Sequence, residues 1–209
     1  MSGADETPMQ RLRRARSIAG ATEARELYAH WAEHYDDDIY GSLGVTGSAR
    51  VAELLQAHCP PHPGLSILDA GCGTGMLGSL LHERGYRLID GIDISPEMLA
   101  VARHKGVYRH LAEADLNQDF GAPEPAYDAI VSAGTFVHGH VGAAGFLRLF
   151  EIAKTGGVLA CAISMTVWQD EGIARIMASL PADTLSDTVE AVIPERAPDT
   201  RMVVLRRSS

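Results

Sequence analysis

Short apolar runs alternate with amphipathic helical segments along most of the chain. Strand-like runs occur at 65–70, 87–93, 107–112, 127–133 and 157–163. Helical periodicity lies between them at 75–84, 96–104 and 141–154. Ser95 followed by Pro96 marks a helix start, because serine caps free N–H groups and proline already has a helical φ. The alternation predicts an α/β fold with a parallel, doubly wound sheet covered on both faces.

Both ends of the chain depart from this alternation. Residues 1–8 are small and polar, which predicts a disordered tail. Helices are predicted at about 9–18 and 22–38, and a third is predicted to start at a cap formed by Thr46 or Ser48. At the other end, a helix near 169–180 precedes two more predicted strands, which lie at 188–193 and 200–206.

The last two predicted strands define the remaining topology. About six residues link them, which is too few for a parallel crossover, so we expect them to pair antiparallel. The prediction is a Rossmann-like sheet of about seven strands, of which five are parallel and the terminal pair is antiparallel. Residues 9–209 are expected to form one domain.

Composition limits the partners of this domain. A formal net charge of −9 disfavours nucleic acid, which requires a basic surface. No apolar run reaches the roughly 18 residues that cross a bilayer. The three cysteines have no metal-ligand spacing, and an odd thiol favours a reducing cytoplasm. We expect a cytoplasmic monomer or homodimer without metal, membrane or nucleic-acid partners.

A glycine loop follows the first predicted strand, where ligands bind in doubly wound sheets. Gly73, Gly75 and Gly78 fit G-x-G-x-x-G, and Asp93 lies 20 residues beyond Gly73. That spacing is typical of dinucleotide sites, in which the acid binds the ribose hydroxyls. An NAD(P)-dependent oxidoreductase is therefore one interpretation.

Two further carboxylates favour a different nucleotide. Asp69 directly precedes the loop, where its charge would repel a pyrophosphate. S-adenosylmethionine (SAM) has no phosphate and carries an ammonium and a sulfonium, so it tolerates an acid there. Asp115 follows the third strand and is placed to accept a hydrogen bond from an adenine amino group. Together with Asp93, these acids converge on one edge of the sheet.

At these residues the chain resembles the class I SAM-dependent methyltransferases, particularly the small-molecule group called type 11 or type 25. The matching segments are Asp69-Ala-Gly-Cys-Gly-Thr-Gly75, Gly91-Ile-Asp93, Asp115-Leu116, Tyr127-Asp-Ala-Ile-Val-Ser132, Lys154-Thr-Gly-Gly157 and the helix Tyr28–Asp36. The resemblance implies that residues 9–60 contribute N-terminal helices to a lid.

The resemblance also implies a set of SAM contacts. The backbone at the loop glycines would meet the amino-acid half of SAM, Asp93 the ribose, and Asp115 with Leu116 the adenine edge. Two lid tyrosines would reach the carboxylate or the sulfonium, although packing of an aromatic helix face explains them nearly as well. The implied cofactor residues are Tyr28, Tyr35, Asp69, Gly71, Cys72, Gly73, Asp93, Ile94, Met98, Asp115, Leu116 and Ser132.

Methyl transfer from a sulfonium mainly requires alignment and exclusion of water, and the coproduct is S-adenosylhomocysteine. A base is needed only if the acceptor loses a proton. His138 and His140 after the fourth strand are the predicted bases. The acceptor, expected to be a small molecule, would lie among the N-terminal helices, loop 132–142 and residues 164–170, including Trp168. A SAM-fold protein without methyl transfer, such as a cyclase or a SAM-binding regulator, remains an alternative.

Overall fold

The computed structural model describes residues 6–18, 20–118, 120 and 125–209, and its centre is a seven-stranded sheet of order β3-β2-β1-β4-β5-β7-β6. The first five strands are parallel, and β7 runs antiparallel to both β5 and β6, as predicted. The strands are β1 (Ser66–Ala70), β2 (Leu88–Asp93), β3 (His110–Glu113), β4 (Tyr127–Phe136), β5 (Ala153–Ser164), β6 (Ala182–Glu190) and β7 (Thr200–Arg207).

Eight α-helices accompany this sheet in the described part of the chain. They are α1 (Pro8–Ala15), α2 (Ala21–Trp31), α3 (Gly47–His58), α4 (Met76–Glu83), α5 (Pro96–Lys105), α6 (Ala143–Glu151), α7 (Met165–Asp170) and α8 (Ile173–Ser179). The start of α5 is as predicted, because the Ser95 hydroxyl accepts a hydrogen bond from the Met98 N–H at 3.2 Å.

The core alternates across the sheet, as buried parallel strands require. Ile67 of β1 packs with α3 and α4, whereas its neighbour Leu68 packs on the opposite face with α6, α7 and α8. A third cluster lies outside the sheet and joins α1, α2 and the segment after them; it includes Ile18, Leu27 and Trp31. The N-terminal helices therefore have a small core of their own.

The N-terminal segment differs from the prediction in three places. The predicted tail ends early, because Thr7 and Gln10 form a capping box at the start of α1; residues 1–5 lie outside the described residues. The helix predicted at 22–38 ends earlier, at Trp31. A 3₁₀ turn over Ala32–His34 follows it, and then a π-helical turn over Asp37–Ser42. Thr46 lies at the N-cap position of α3, as predicted, but its hydroxyl donates to the Val192 carbonyl at 3.3 Å and does not cap the helix; Ser48 lies inside α3, where its hydroxyl contacts Tyr40 Oη at 3.2 Å.

Three predicted elements elsewhere need correction. The strand expected at 188–193 lies earlier, at β6, because the apolar pair Val192 and Ile193 is buried in the following loop against α3. The helix expected at 169–180 is divided at Gly172, whose φ of 65° is left-handed. Strand β3 begins at His110 instead of 107.

Candidate functional site

A cavity of about 850 Å³, partly open to solvent, lies at the carboxyl ends of β1, β2 and β4. We call it the first cavity. Eleven of the twelve predicted cofactor residues line it, together with His140. The exception is Ser132, which is buried and donates a hydrogen bond to the Ala70 carbonyl at 2.7 Å. Ser132 therefore joins β4 to β1 below the cavity, and its predicted cofactor contact has no support from this geometry.

The glycine loop places its backbone against the first cavity. The Gly71 and Cys72 N–H groups donate to the Ile92 carbonyl at 2.8 and 3.0 Å, which fixes the turn. Gly73 has a φ of 53°, and nothing lies within 4 Å of the position that its Cβ would occupy. A side chain at Gly71 would instead collide with Thr135. Gly71 is thus required by packing, whereas Gly73 leaves open space for a ligand.

Tyr108, which the spacing arguments did not identify as a site residue, explains the third glycine of the motif. Its ring occupies the space that a Cβ at Gly75, Gly78 or Gly91 would need, and its hydroxyl donates to Asp69 Oδ2 at 2.7 Å. Gly78 is therefore a packing requirement of the Tyr108 ring. The G-x-G-x-x-G pattern does not require a dinucleotide in this chain.

Asp69 is an unusual buried carboxylate. It is 1% exposed, and its Oδ1 has no hydrogen-bond partner among the described residues. Burial raises the pKa of Asp69 to about 7, although the Tyr108 hydrogen bond opposes that shift. An unpaired buried carboxylate oxygen beside a ligand cavity is suited to a cationic group, which compensates for its lost hydration.

The other two acids lie at the ends of β2 and β3. Asp93 accepts hydrogen bonds from the Gly73 and Ser95 N–H groups at 2.8 and 2.9 Å, and burial raises its pKa. Asp115 Oδ1 accepts from the Asn117 N–H at 2.9 Å. Each carboxylate oxygen has two lone pairs, so both side chains retain capacity for ligand hydroxyl or amino groups.

The N-terminal segment is tied to the sheet edge by polar contacts. The Arg25 guanidinium of α2 donates to the Ile94 carbonyl at 3.1 Å and to Glu113 at 2.7 Å. Asp36 accepts from the Thr74 hydroxyl and from Lys105 Nζ, the latter at 2.6 Å. These contacts hold the N-terminal helices over the glycine loop, where a lid was expected.

The two predicted histidines occupy different environments. His140 lines the first cavity; its Nδ1 lies 3.0 Å from the His138 carbonyl, and its Nε2 lies 3.0 Å from Tyr28 Oη. A carbonyl only accepts, so Nδ1 carries the proton and Nε2 of the neutral ring accepts from Tyr28. Burial lowers the pKa of His140, which favours this neutral form. His138 is exposed and does not line the first cavity, so His140 is the one of the two predicted bases that lies at this site.

A second cavity of about 790 Å³ lies beside the first. Six residues line both cavities: Tyr28, Tyr35, Tyr40, Ser48, Ala133 and Gly134. We call these six residues the shared wall. The rest of the lining comes mainly from α1, α2, the segment after α2, β5 and the loop after β6. Of the predicted segment 164–170 only Ser164 contributes, since Trp168 is buried and stacks on the Arg201 guanidinium at 4.1 Å.

This Rossmann-like sheet, with three acids and an open glycine loop at its carboxyl edge, is typical of class I SAM-dependent methyltransferases. Comparison with known proteins agrees: residues 67–157 match a family model described as a methyltransferase domain. This match runs from β1 to the start of β5, so the sheet and glycine loop of this chain are those of a SAM-dependent methyltransferase domain. In the described residues no helix is long and apolar enough to cross a membrane, and no cluster of three metal-ligand side chains occurs.

Two relatives in sequence have methyltransferase names. Human methyltransferase-like protein 27 is 34% identical over 158 residues, which cover 75% of this chain and 63% of that protein. The malonyl-[acyl-carrier protein] O-methyltransferase of Serratia marcescens is 34% identical over 109 residues, or 52% of this chain and 42% of the relative. The chain thus spans less than two thirds of the length of these relatives.

Two crystal structures share the fold at low sequence identity. A TehB-like SAM-dependent methyltransferase from Corynebacterium glutamicum aligns with a TM-score of 0.64 and 20% identity over 87% of this chain and 98% of that chain. The 1,6-didemethyltoxoflavin-N1-methyltransferase of Burkholderia thailandensis aligns with a TM-score of 0.65 and 16% identity, over 92% of each chain. The latter contains 1,6-didemethyltoxoflavin and S-adenosylhomocysteine.

Proposed function

We propose that this chain transfers the S-methyl group of SAM, bound in the first cavity, to a small molecule bound in the second. The shared wall supports this assignment, because it brings the two cavities into contact at the tyrosines of the N-terminal segment. Direct displacement needs the nucleophile and the methyl group in line and shielded from water. Two adjoining cavities, both lined by the N-terminal helices, would hold donor and acceptor next to each other and away from water.

The residues of the first cavity fit SAM. The unpaired Asp69 oxygen suits the ammonium, the open backbone at Gly73 leaves room for the amino-acid half, and Asp93 has acceptor capacity for the ribose hydroxyls. Bound SAM would supply an activated methyl group. Of the predicted cofactor contacts, these three have the most direct geometric support.

The Tyr28–His140 pair is proposed to remove a proton when the acceptor is a hydroxyl. Tyr28 lines both cavities, and its hydroxyl donates to the neutral imidazole of His140. The acceptor proton would pass to the Tyr28 oxygen while the Tyr28 proton moves to His140 Nε2. The acceptor oxygen then forms the new bond to the methyl carbon, and the C–S electron pair remains on sulfur as S-adenosylhomocysteine.

A small acceptor is favoured over a macromolecule. Other relatives are an 18S rRNA (guanine-N(7))-methyltransferase of Arabidopsis thaliana and a ribosomal protein L11 methyltransferase of Burkholderia mallei. The net charge of −9 disfavours RNA, and the second cavity is a concave, mostly apolar space, as small-molecule sites are. A cytoplasmic location is proposed because the three cysteines are unpaired.

The test is a methylation assay of the purified full chain with methyl-labelled SAM. It is offered three acceptor fractions: small metabolites, total rRNA and ribosomal protein. We expect label and S-adenosylhomocysteine to appear with the metabolite fraction only. Label in rRNA or in ribosomal protein, or no transfer to any fraction while SAM binds, would contradict the proposal. The Gly73→Val variant serves as the cofactor-binding control.

A further inference from the structure

We propose that the methyl acceptor is an organic acid whose anionic group, most simply a carboxylate, binds to Arg16 in the second cavity. This inference rests on the proposed function, because it names the chemistry of the molecule that accepts the methyl group. Arg16 lines the second cavity but not the first. The anionic group would therefore lie away from the shared wall, and the methylated atom would lie against it.

Charge in the second cavity supports an anion. Among the described residues that line it, the Arg16 guanidinium is the single formal charge, and no carboxylate contributes. This composition contrasts with the net charge of −9 of the whole chain and with the three acids of the first cavity. A cationic acceptor would find no counter-ion in this lining and would also be repelled by the sulfonium of the donor.

Arg16 has free hydrogen-bonding capacity and is held in place. Its Nη1 donates to Asp199 Oδ2 at 3.1 Å, and its side chain is 35% exposed. No other hydrogen bond of this guanidinium lies within the described residues, so four of its five N–H groups remain for a ligand. Asp199 itself is fixed, because its carbonyl accepts from the Met165 N–H at 2.8 Å and its Oδ1 accepts from the Thr200 hydroxyl at 2.9 Å.

The remaining lining indicates the body of the acceptor. It is mainly aliphatic and aromatic, with Leu12, Trp31, Ile39, Val137, Val192 and Ile193 among its residues. Tyr35 lines both cavities, and no hydrogen bond joins its hydroxyl to a described residue. The site therefore fits an apolar, ring-sized body with an acid at one end and a nucleophile at the other.

The test compares matched probes by calorimetry on the full chain saturated with S-adenosylhomocysteine, so that no turnover is needed. The probes are 3-(4-hydroxyphenyl)propionate, its uncharged primary amide and the cation tyramine. We expect the acid to bind about 10- to 100-fold more tightly than the amide, as charge-assisted hydrogen bonds allow. Tyramine is expected to bind no more tightly than the amide.

Variants then assign the preference to Arg16. Arg16→Gln should remove the difference between acid and amide, Arg16→Lys should retain part of it, and Asp199→Asn should increase it by freeing the guanidinium. Arg13→Gln, at an exposed position of α1, is the matched control and should leave the preference unchanged.

Equal binding of acid and amide, an acid preference that survives in Arg16→Gln, or no acid binding at millimolar concentration would overturn the inference. Acid binding that needs Arg16 without any methyl transfer would instead contradict the proposed function. The two failures are therefore distinguishable.

Discussion

The first and second cavities share a wall but are assembled in opposite ways. The first takes its three carboxylates from the ends of adjacent parallel strands, beside one glycine loop. The second is built from segments far apart in the chain, from Leu12 to Thr200, and its lining is mostly apolar. The sheet edge therefore forms the cavity with the features of a nucleotide site, whereas the N-terminal helices contribute most to the apolar one.

The difference also concerns charge. Asp69, Asp93 and Asp115 make the first cavity suited to a cation with hydroxyl and amino donors, while the single charged residue that lines the second is Arg16, paired with Asp199 behind it. Donor and acceptor would thus be sorted by charge before the methyl group moves. The following variants alter the first cavity and measure SAM binding or turnover.

The largest effect is expected from His140→Gln. With a hydroxyl acceptor, loss of the proton acceptor should reduce kcat by about 10²- to 10⁴-fold, the usual range for general-base catalysis. SAM affinity should stay within a few-fold. Steady-state kinetics with calorimetry of SAM binding would measure both. His138→Gln is the matched control, and a larger loss in this variant than in His140→Gln would reverse the assignment.

Gly73→Val should weaken SAM binding by at least about 100-fold. A branched side chain would fill the open space beside the backbone, where the ligand is expected, and φ of 53° is unfavourable for valine. Gly106→Val is the control, since Gly106 also has a left-handed φ, of 67°, and open space but does not line either cavity. Calorimetry that finds similar SAM affinity in both variants would exclude Gly73 from the site.

Asp93→Asn should weaken SAM binding by about 10- to 100-fold, because charge-assisted hydrogen bonds to the ribose are lost. Asp90→Asn is the matched control: Asp90 lies on the same strand, is buried and pairs with Arg109 at 2.6 Å, outside the cavity. The control should lose thermal stability but keep SAM affinity. Unchanged SAM affinity in a folded Asp93→Asn protein would remove Asp93 from the ribose site.

The smallest effect concerns pH. Because burial raises the pKa of Asp69 to about 7, part of this carboxyl is protonated near neutrality, and a cationic ligand should favour the ionised form. SAM affinity should therefore fall up to about tenfold from pH 7 to pH 6, and binding at pH 7 should release protons. Calorimetry in buffers of different ionisation enthalpy measures the release. Asp69→Asn should abolish both effects; their persistence would assign them to another group.

The same comparison explains what sequence could predict. The first cavity was largely predictable, because glycines and acids at strand ends stand at fixed spacings and the sheet brings those ends together. Tyr108 carries no such signal: it precedes β3 and reaches Asp69 only through the space left by Gly75, Gly78 and Gly91. Ser132 fits the family pattern, yet its orientation into β1 depends on strand pairing that spacing does not encode.

The second cavity was predictable only in outline. The N-terminal helices and the loop after β4 contribute to it, but the break of α2 at Trp31 and the burial of Trp168 depend on tertiary packing. Val192 and Ile193 misled the strand prediction because apolar content marks burial, not whether the buried segment is a strand or a loop. Long-range assembly, rather than local propensity, determines this pocket.

A crystal structure with S-adenosylhomocysteine bound tests the central claim most directly. We expect the adenine beside Asp115 and Leu116, the ribose at Asp93 and the amino group near Asp69. The sulfur should face the shared wall, between Tyr28 and Gly134, with the second cavity empty or holding the acceptor. A sulfur turned away from that wall, or a nucleoside lying in the second cavity, would contradict transfer between the two cavities.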